Sequence, residues 1–125
     1  MVKREVFDTL ARRIEECRRF IQVVVGPRQV GKTTLVQHVL AHTKTASHYA
    51  SADAVAVSGS VWLEQQWEIA RQIAQQSGEA ILAVDEIQKI TNWSETVKKL
   101  WDEDSSKRRN IKVVLLGSSQ LLVQK

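Results

Sequence analysis

Apolar residues fall along this chain in patterns that alternate between helical and strand-like spacing. Phe7, Leu10, Ala11, Ile14 and Cys17 recur at helical intervals, so residues 4–18 predict an amphipathic lead-in helix. Phe20-Ile21-Gln22-Val23-Val24-Val25 is short, rich in β-branched side chains and stopped by Gly26-Pro27, which makes it the first strand. From Lys32 to about His42, Leu35, Val36, Val39 and Leu40 form the buried stripe of a helix. A weaker strand covers Ser47 to Ser51, with Asp53 just beyond it. After Ser58-Gly59-Ser60 a helix runs from about Val61 to Gln76, with Leu63, Trp67, Ala70 and Ala74 on one face, Trp62, Ile69 and Ile73 widening it, and Ser77-Gly78 stopping it. Ala80-Ile81-Leu82-Ala83-Val84 is continuously apolar, the pattern of a strand covered on both faces of a parallel sheet. Asn92 and Glu95 have the spacing of a capping box, and Trp93, Val97, Leu100 and Trp101 carry the helix that follows to about Asp104. Ile111 to Leu116 forms the last strand and runs into Gly117-Ser118-Ser119.

Strand, crossover helix, parallel strand, repeated, is the pattern of an open α/β sheet with helices on both faces, and such sheets bind ligands at the carboxyl ends of their strands. Three polar clusters occupy that edge: residues 26–34 after the first strand, Asp85-Glu86 after the third and Ser118-Ser119 after the fourth. The first is the most specific. Gly26-Pro27-Arg28-Gln29-Val30-Gly31-Lys32-Thr33 fits G-x-x-x-x-G-K-[ST] at every fixed position, and background residue usage puts a chance match in a chain of this length at roughly 0.4%. The chemistry explains the pattern. Gly26 and Gly31 let the main chain wrap closely around phosphate oxygens, and Lys32 adds a mobile charge. The first turn of the next helix points unpaired N–H groups and a positive dipole end at the anion, while the Thr33 hydroxyl is placed to ligate Mg²⁺. Pro27 stiffens the start of the loop; Arg28 fits either a phosphate or partner contact or a solvated side chain.

Ile81-Leu82-Ala83-Val84-Asp85-Glu86 looks like a Walker B element, an apolar strand that presents an acid to the Mg²⁺ shell and follows it with a second acid. Alone such a strand is a weak signal, but downstream of a full phosphate loop the two supply complementary parts of one Mg·NTP site. Asp85 is then the metal carboxylate. Glu86 is the general base or water-positioning group, which favours hydrolysis over kinase-type transfer. Ser118 or Ser119 could hydrogen-bond the γ-phosphate or the attacking water; the plain alternative is that small residues end a strand.

Composition permits this reading and adds little to it. With 125 residues, 43% apolar and 26% charged, the chain suits a single soluble domain, residues 1–125, with residues 1–19 as lead-in helix and 20–125 as core. The net charge of +4 is mild, and basic residues alternate with acids in Arg12-Arg13-Ile14-Glu15-Glu16-Cys17-Arg18-Arg19, as on a solvated helix face. Lys107-Arg108-Arg109, the densest unbalanced cluster, reads as a solvated connector without the aromatic interleaving of a nucleic-acid groove. Cys17 is the sole cysteine, so no disulfide forms within the chain and a cytoplasmic setting is expected. No apolar stretch spans a bilayer. His38 and His42 lack a third ligand for a metal and read as a polar helix face.

Taken jointly, Gly-Pro-Arg-Gln-Val-Gly-Lys-Thr-Thr at 26–34, Asp-Glu-Ile-Gln-Lys-Ile at 85–90 with Asn92-Trp93, and Leu-Leu-Gly-Ser-Ser at 115–119 resemble the prokaryotic AAA-domain ATPases of the AAA+ superfamily. The resemblance covers nearly the whole chain. It implies a P-loop NTPase core of three α/β/α layers that binds ATP and Mg²⁺, with residues 26–34 including Thr34 on the nucleotide, Lys32 and Thr33 on phosphate and metal, Asp85 and Glu86 as Walker B acids, and Ser118 or Ser119 at the sensor position. ATP over GTP rests on the resemblance alone, as no N-K-x-D motif is present. In the family a further strand, an arginine-bearing segment and a second domain usually follow, so a fragment with an open edge at its first strand is expected here. The leading expectation is Mg²⁺-dependent ATP binding and hydrolysis. The alternative is a nucleotide-gated binding module with little turnover for want of that arginine segment. A homo-oligomer or protein partner is compatible with either, nucleic acid is disfavoured, and a small-molecule kinase would need a substrate lid that the sequence does not display.

Overall fold

The computed structural model describes residues 11–12, 21–25, 32–52 and 59–117. Among these residues four strands form one parallel sheet: β1 (Gln22–Val25), β2 (Ser47–Ser51), β3 (Ala80–Asp85) and β4 (Ile111–Gly117), in the order β1-β4-β3-β2. Three helices connect them, α1 (Lys32–His42), α2 (Ser60–Ser77) and α3 (Trp93–Ser106), and a 3₁₀ turn over Ile87–Lys89 follows β3.

Side-chain alternation along the two central strands divides the core. Ile81 and Ala83 of β3 and Val114 and Leu116 of β4 meet Leu35, Val36 and Val39 of α1, with Ala11, Val24, Leu40 and Tyr49 packed around them. Their neighbours Leu82, Val84, Ile111, Val113 and Leu115 face the other way, onto Leu63, Trp67 and Ala70 of α2 and Val97 and Leu100 of α3. Among the described residues, α1 thus covers one face, where Ala11 also packs, and α2 and α3 cover the opposite face. Every residue of β3 is buried, as its unbroken apolar run requires.

Most element boundaries fall where the periodicity puts them, with informative departures. β1 begins at Gln22 and Ile21 lies outside it. β3 extends one residue further than its apolar run, so Asp85 is the last residue of the strand. α2 is closed by Gly78, whose φ of 91° gives the left-handed C-cap that returns its N–H to the Ala74 carbonyl at 2.8 Å. Ile69 does not widen the buried face of α2; it stands exposed. The capping box at α3 is also absent. Asn92 is left-handed with φ 58° and makes no side-chain cap. Instead its carbonyl accepts from the Thr96 N–H and the Thr96 hydroxyl, both at 3.2 Å.

All four tryptophans pack on the α2–α3 side of the sheet, with Trp67 fully buried. Trp67 also does something that packing alone does not demand. Its indole N–H donates to Asp104 Oδ2 at 2.6 Å, and Asp104, fully buried, further accepts from Arg71 Nε at 2.8 Å and Arg109 Nη1 at 3.1 Å. Arg109 is therefore an anchor for α3 and not a solvated connector residue, because a buried carboxylate needs paired donors.

Candidate functional site at the carboxyl edge of the sheet

The strand order decides where a ligand has room. From β1 the chain passes to α1 on one face, and from β3 to α3 on the other, with β4 between them. Loops diverging to opposite faces open a crevice at the carboxyl end of the intervening strand, the usual ligand position in open α/β sheets. Register brings the ends of the strands level: Val25 pairs with Gly117, Val84 with Leu115, and Ser51 with Asp85. The loop that starts at Gly26, the segment that follows Gly117, and Asp85-Glu86 all leave the sheet at this one edge.

Asp85 and Glu86 are buried, at 4% and 6% exposure. Asp85 shares the face of Ile81 and Ala83, the side covered by α1. Its carboxylate is held at both oxygens: Oδ1 accepts the Glu86 N–H at 2.8 Å and Oδ2 accepts the Tyr49 hydroxyl at 2.5 Å. Glu86 takes a left-handed backbone, φ 56° and ψ 42°, at the N-terminal side of the 3₁₀ turn. That conformation costs a non-glycine residue about 1–2 kcal/mol, and it breaks the strand alternation so that two successive carboxylates need not point to opposite faces. Glu86 Oε1 accepts from Gln88 Nε2 at 2.7 Å.

Lys32, Thr33 and Thr34 form the first turn of α1, so the helix N-terminus that the loop pattern calls for begins at Lys32. Thr34 is exposed. Gly26, Pro27, Arg28, Gln29, Val30 and Gly31, the side chains of Lys32 and Thr33, and Ser118 and Ser119 lie outside the described residues. Tyr49 is the contact that sequence reading missed. No linear motif marks it, because it meets Asp85 only through the pairing of β2 with β3.

Among the described residues, no group of three or more His, Cys, Asp or Glu side chains gathers as a metal cage. The donor chemistry at the sheet edge suits Mg²⁺ nonetheless, since that ion is commonly held by one or two carboxylates together with substrate phosphates. Asp85 supplies such a carboxylate. His42 uses Nδ1 on the His38 carbonyl at 2.8 Å. A surface cavity of about 410 Å³ lies at the opposite, amino end of the sheet, lined by Arg71, Gly78, Arg108 and Arg109 among others. Arg71 and Arg109 there are committed to Asp104, so the cavity is part of the α2–α3 anchorage. No described helix is long and apolar enough to cross a membrane.

A family model described as the AAA domain matches residues 18–125. The chain belongs to this AAA-domain family. Solved structures carry the same fold. A chain from work on the structural basis of katanin self-assembly superposes with a TM-score of 0.61 at 15% identity, covering 94% of this chain and 44% of that one. PCH-2 of C. elegans gives a TM-score of 0.60 at 16% identity, covering 91% and 37%. This AAA chain thus spans less than half the length of either. At those identities the likeness is one of fold, an α/β P-loop NTPase-like sheet. No curated protein matches the chain. Family membership associates the domain with nucleotide binding and hydrolysis in general.

Proposed function

We propose that this chain binds ATP with Mg²⁺ at the carboxyl edge of its sheet and hydrolyses the terminal phosphate. One observation carries the reading: the register sets Asp85, which Glu86 follows directly, level with the ends of β1 and β4, after which the phosphate-loop sequence and Ser118-Ser119 come in the chain. Residues 26–31 would wrap the phosphates with backbone N–H groups, Lys32 would neutralise them, and the N-terminus of α1 would add its dipole. Thr33 and Asp85 would hold Mg²⁺, which when bound neutralises charge on the β- and γ-phosphates. Glu86 would take a proton from the attacking water and Ser118 or Ser119 would orient it. The burial of Glu86, 6% exposed as a residue, supports it in that role, because a largely enclosed side chain can act on a single held water.

Binding of labelled ATP in the presence of Mg²⁺ tests the proposal. Lys32→Ala removes a charged donor worth about 1.5–3 kcal/mol, so the Kd should rise about 10- to 150-fold. Absence of binding by the natural chain, or equal binding by Lys32→Ala, would sink it.

A second reading, a nucleotide-gated binding module with little turnover, draws on the hydrogen bond from Gln88 that holds Glu86 Oε1. Steady-state phosphate release separates the two. Self-association or a protein partner in the cytoplasm belongs to the same proposal, supported by the fold shared with a structure solved for katanin self-assembly.

A further inference from the structure

Resting on the nucleotide-site reading above, we infer that Tyr49 is a positioning residue: its hydroxyl, reaching across from edge strand β2, sets the orientation of the Asp85 carboxylate and with it the affinity for Mg²⁺ at the bound nucleotide. The placement follows from register. Tyr49 pairs with Ala83, and Asp85 lies two residues further along the same face of β3. A diagonal separation of that kind is too long for small side chains and within reach of a tyrosine. The ring packs against the cluster formed by α1 and the central strands, so its direction is fixed by apolar contacts. Its hydroxyl then projects toward the carboxyl edge and donates to Asp85 Oδ2 at 2.5 Å.

Asp85 gains from this because the terminal torsion of an aspartate is broad and roughly two-fold. The Glu86 N–H holds Oδ1 from the following peptide, and the Tyr49 hydroxyl holds Oδ2 from the neighbouring strand. Donors at both oxygens define the carboxylate plane. A hydroxyl suits this task better than an ammonium or guanidinium, since it orients the carboxylate without cancelling the charge that a divalent cation requires. Groups in this supporting position commonly change metal affinity by 10- to 100-fold when removed.

Titration of the full chain with a fluorescent ADP, in excess Mg²⁺ and again in EDTA, measures the metal-dependent gain in affinity. Tyr49→Phe keeps the ring and should leave the EDTA value unchanged while cutting that gain by about 10-fold. An unchanged gain, or an equal fall under both conditions, overturns the inference; the second pattern is that of a structural role. A natural chain that binds no ADP under either condition removes the nucleotide site itself and the inference with it. The natural chain also supplies a measurement that needs no variant, because Tyr49 is its sole tyrosine. Labelled with ¹³C at Cζ, it gives one resonance, which should move when Mg²⁺ is added to the ADP complex; a resonance that stays in place overturns the inference.

Discussion

Replacing Asp104 by alanine should destabilise the domain far more than the removal of any surface charge. The carboxylate is fully buried and accepts from the Trp67 indole, from Arg71 and from Arg109. Without it, an indole N–H at 0% exposure and a guanidinium at 15% exposure lose their shared acceptor. Breaking a buried pair by removing one partner costs about 3–5 kcal/mol. Arg71 keeps bonds to Glu103 and to the Leu100 carbonyl, and Arg109 is a third exposed, so the lower half of that range applies, about 3–4 kcal/mol. At an unfolding entropy of about 2.1 cal/mol/K per residue, a loss of about 3–4 kcal/mol lowers Tm by about 11–15 °C in a chain of 125 residues. Asp104→Asn should fall between, because one amide oxygen serves the indole while the NH₂ faces guanidinium. Guanidinium or thermal unfolding at pH 7 provides the assay. The loss should barely change between about 0.05 and 0.5 M salt, since screening acts weakly on buried pairs. A loss under about 1 kcal/mol for Asp104→Ala would refute the view that this carboxylate ties α2, α3 and the start of β4 together.

Other expectations are smaller in scope. Glu86→Gln should abolish steady-state phosphate release while ATP binding persists, and Glu86→Gly should do the same with Tm within about 4 °C of the natural chain, because relief of the left-handed backbone offsets the entropy of glycine. Phosphate release retained in either variant would remove Glu86 from the reaction. Gly78→Ala should cost about 1–2 kcal/mol although nothing lies within 4 Å of the added Cβ, since its φ is 91°. Gly59→Ala, with φ −137° and equally open space, should change stability by less than about 0.5 kcal/mol, and equal losses at the two glycines would defeat the conformational argument.

What could be read from the sequence follows from how local each cause is. The apolar run at 80–84 and the stripe of Leu35, Val36 and Val39 report burial directly, because period and burial are the same physical fact. A phosphate-loop pattern is visible in sequence for a similar reason, since neighbouring residues would supply its whole chemistry, although residues 26–31 lie outside the described residues. Asn92 shows the limit of local rules. Its spacing to Glu95 suits a capping box, yet the 3₁₀ turn after β3 delivers the chain to α3 in a left-handed conformation that the box does not accommodate. Asp104 had a usable signal, since Val97, Leu100 and Asp104 stand at i, i+3 and i+7 on one buried stripe. An acid on that stripe argues for a buried partner, although which arginine answers it depends on how α2 packs on α3.

Tyr49 lies beyond any such rule, and the reason bears on how the edge of the sheet works. Sequence separates Tyr49 from Asp85 by the whole of α2, and only the strand order makes them neighbours. That order also places β4 between β1 and β3, so the phosphate-loop strand and the acid-bearing strand do not touch. Any ligand joining them must therefore span the end of β4. Leu116 and Gly117 at that end are both buried, and Gly117 closes the strand without a side chain. On the proposed nucleotide site, a bulky residue at 117 would stand in the span that a phosphate chain would cross, and the small Ser118 and Ser119 follow it in sequence. Tyr49, on the side of β3 away from β4, holds Asp85 from the neighbouring strand and so lies outside that span.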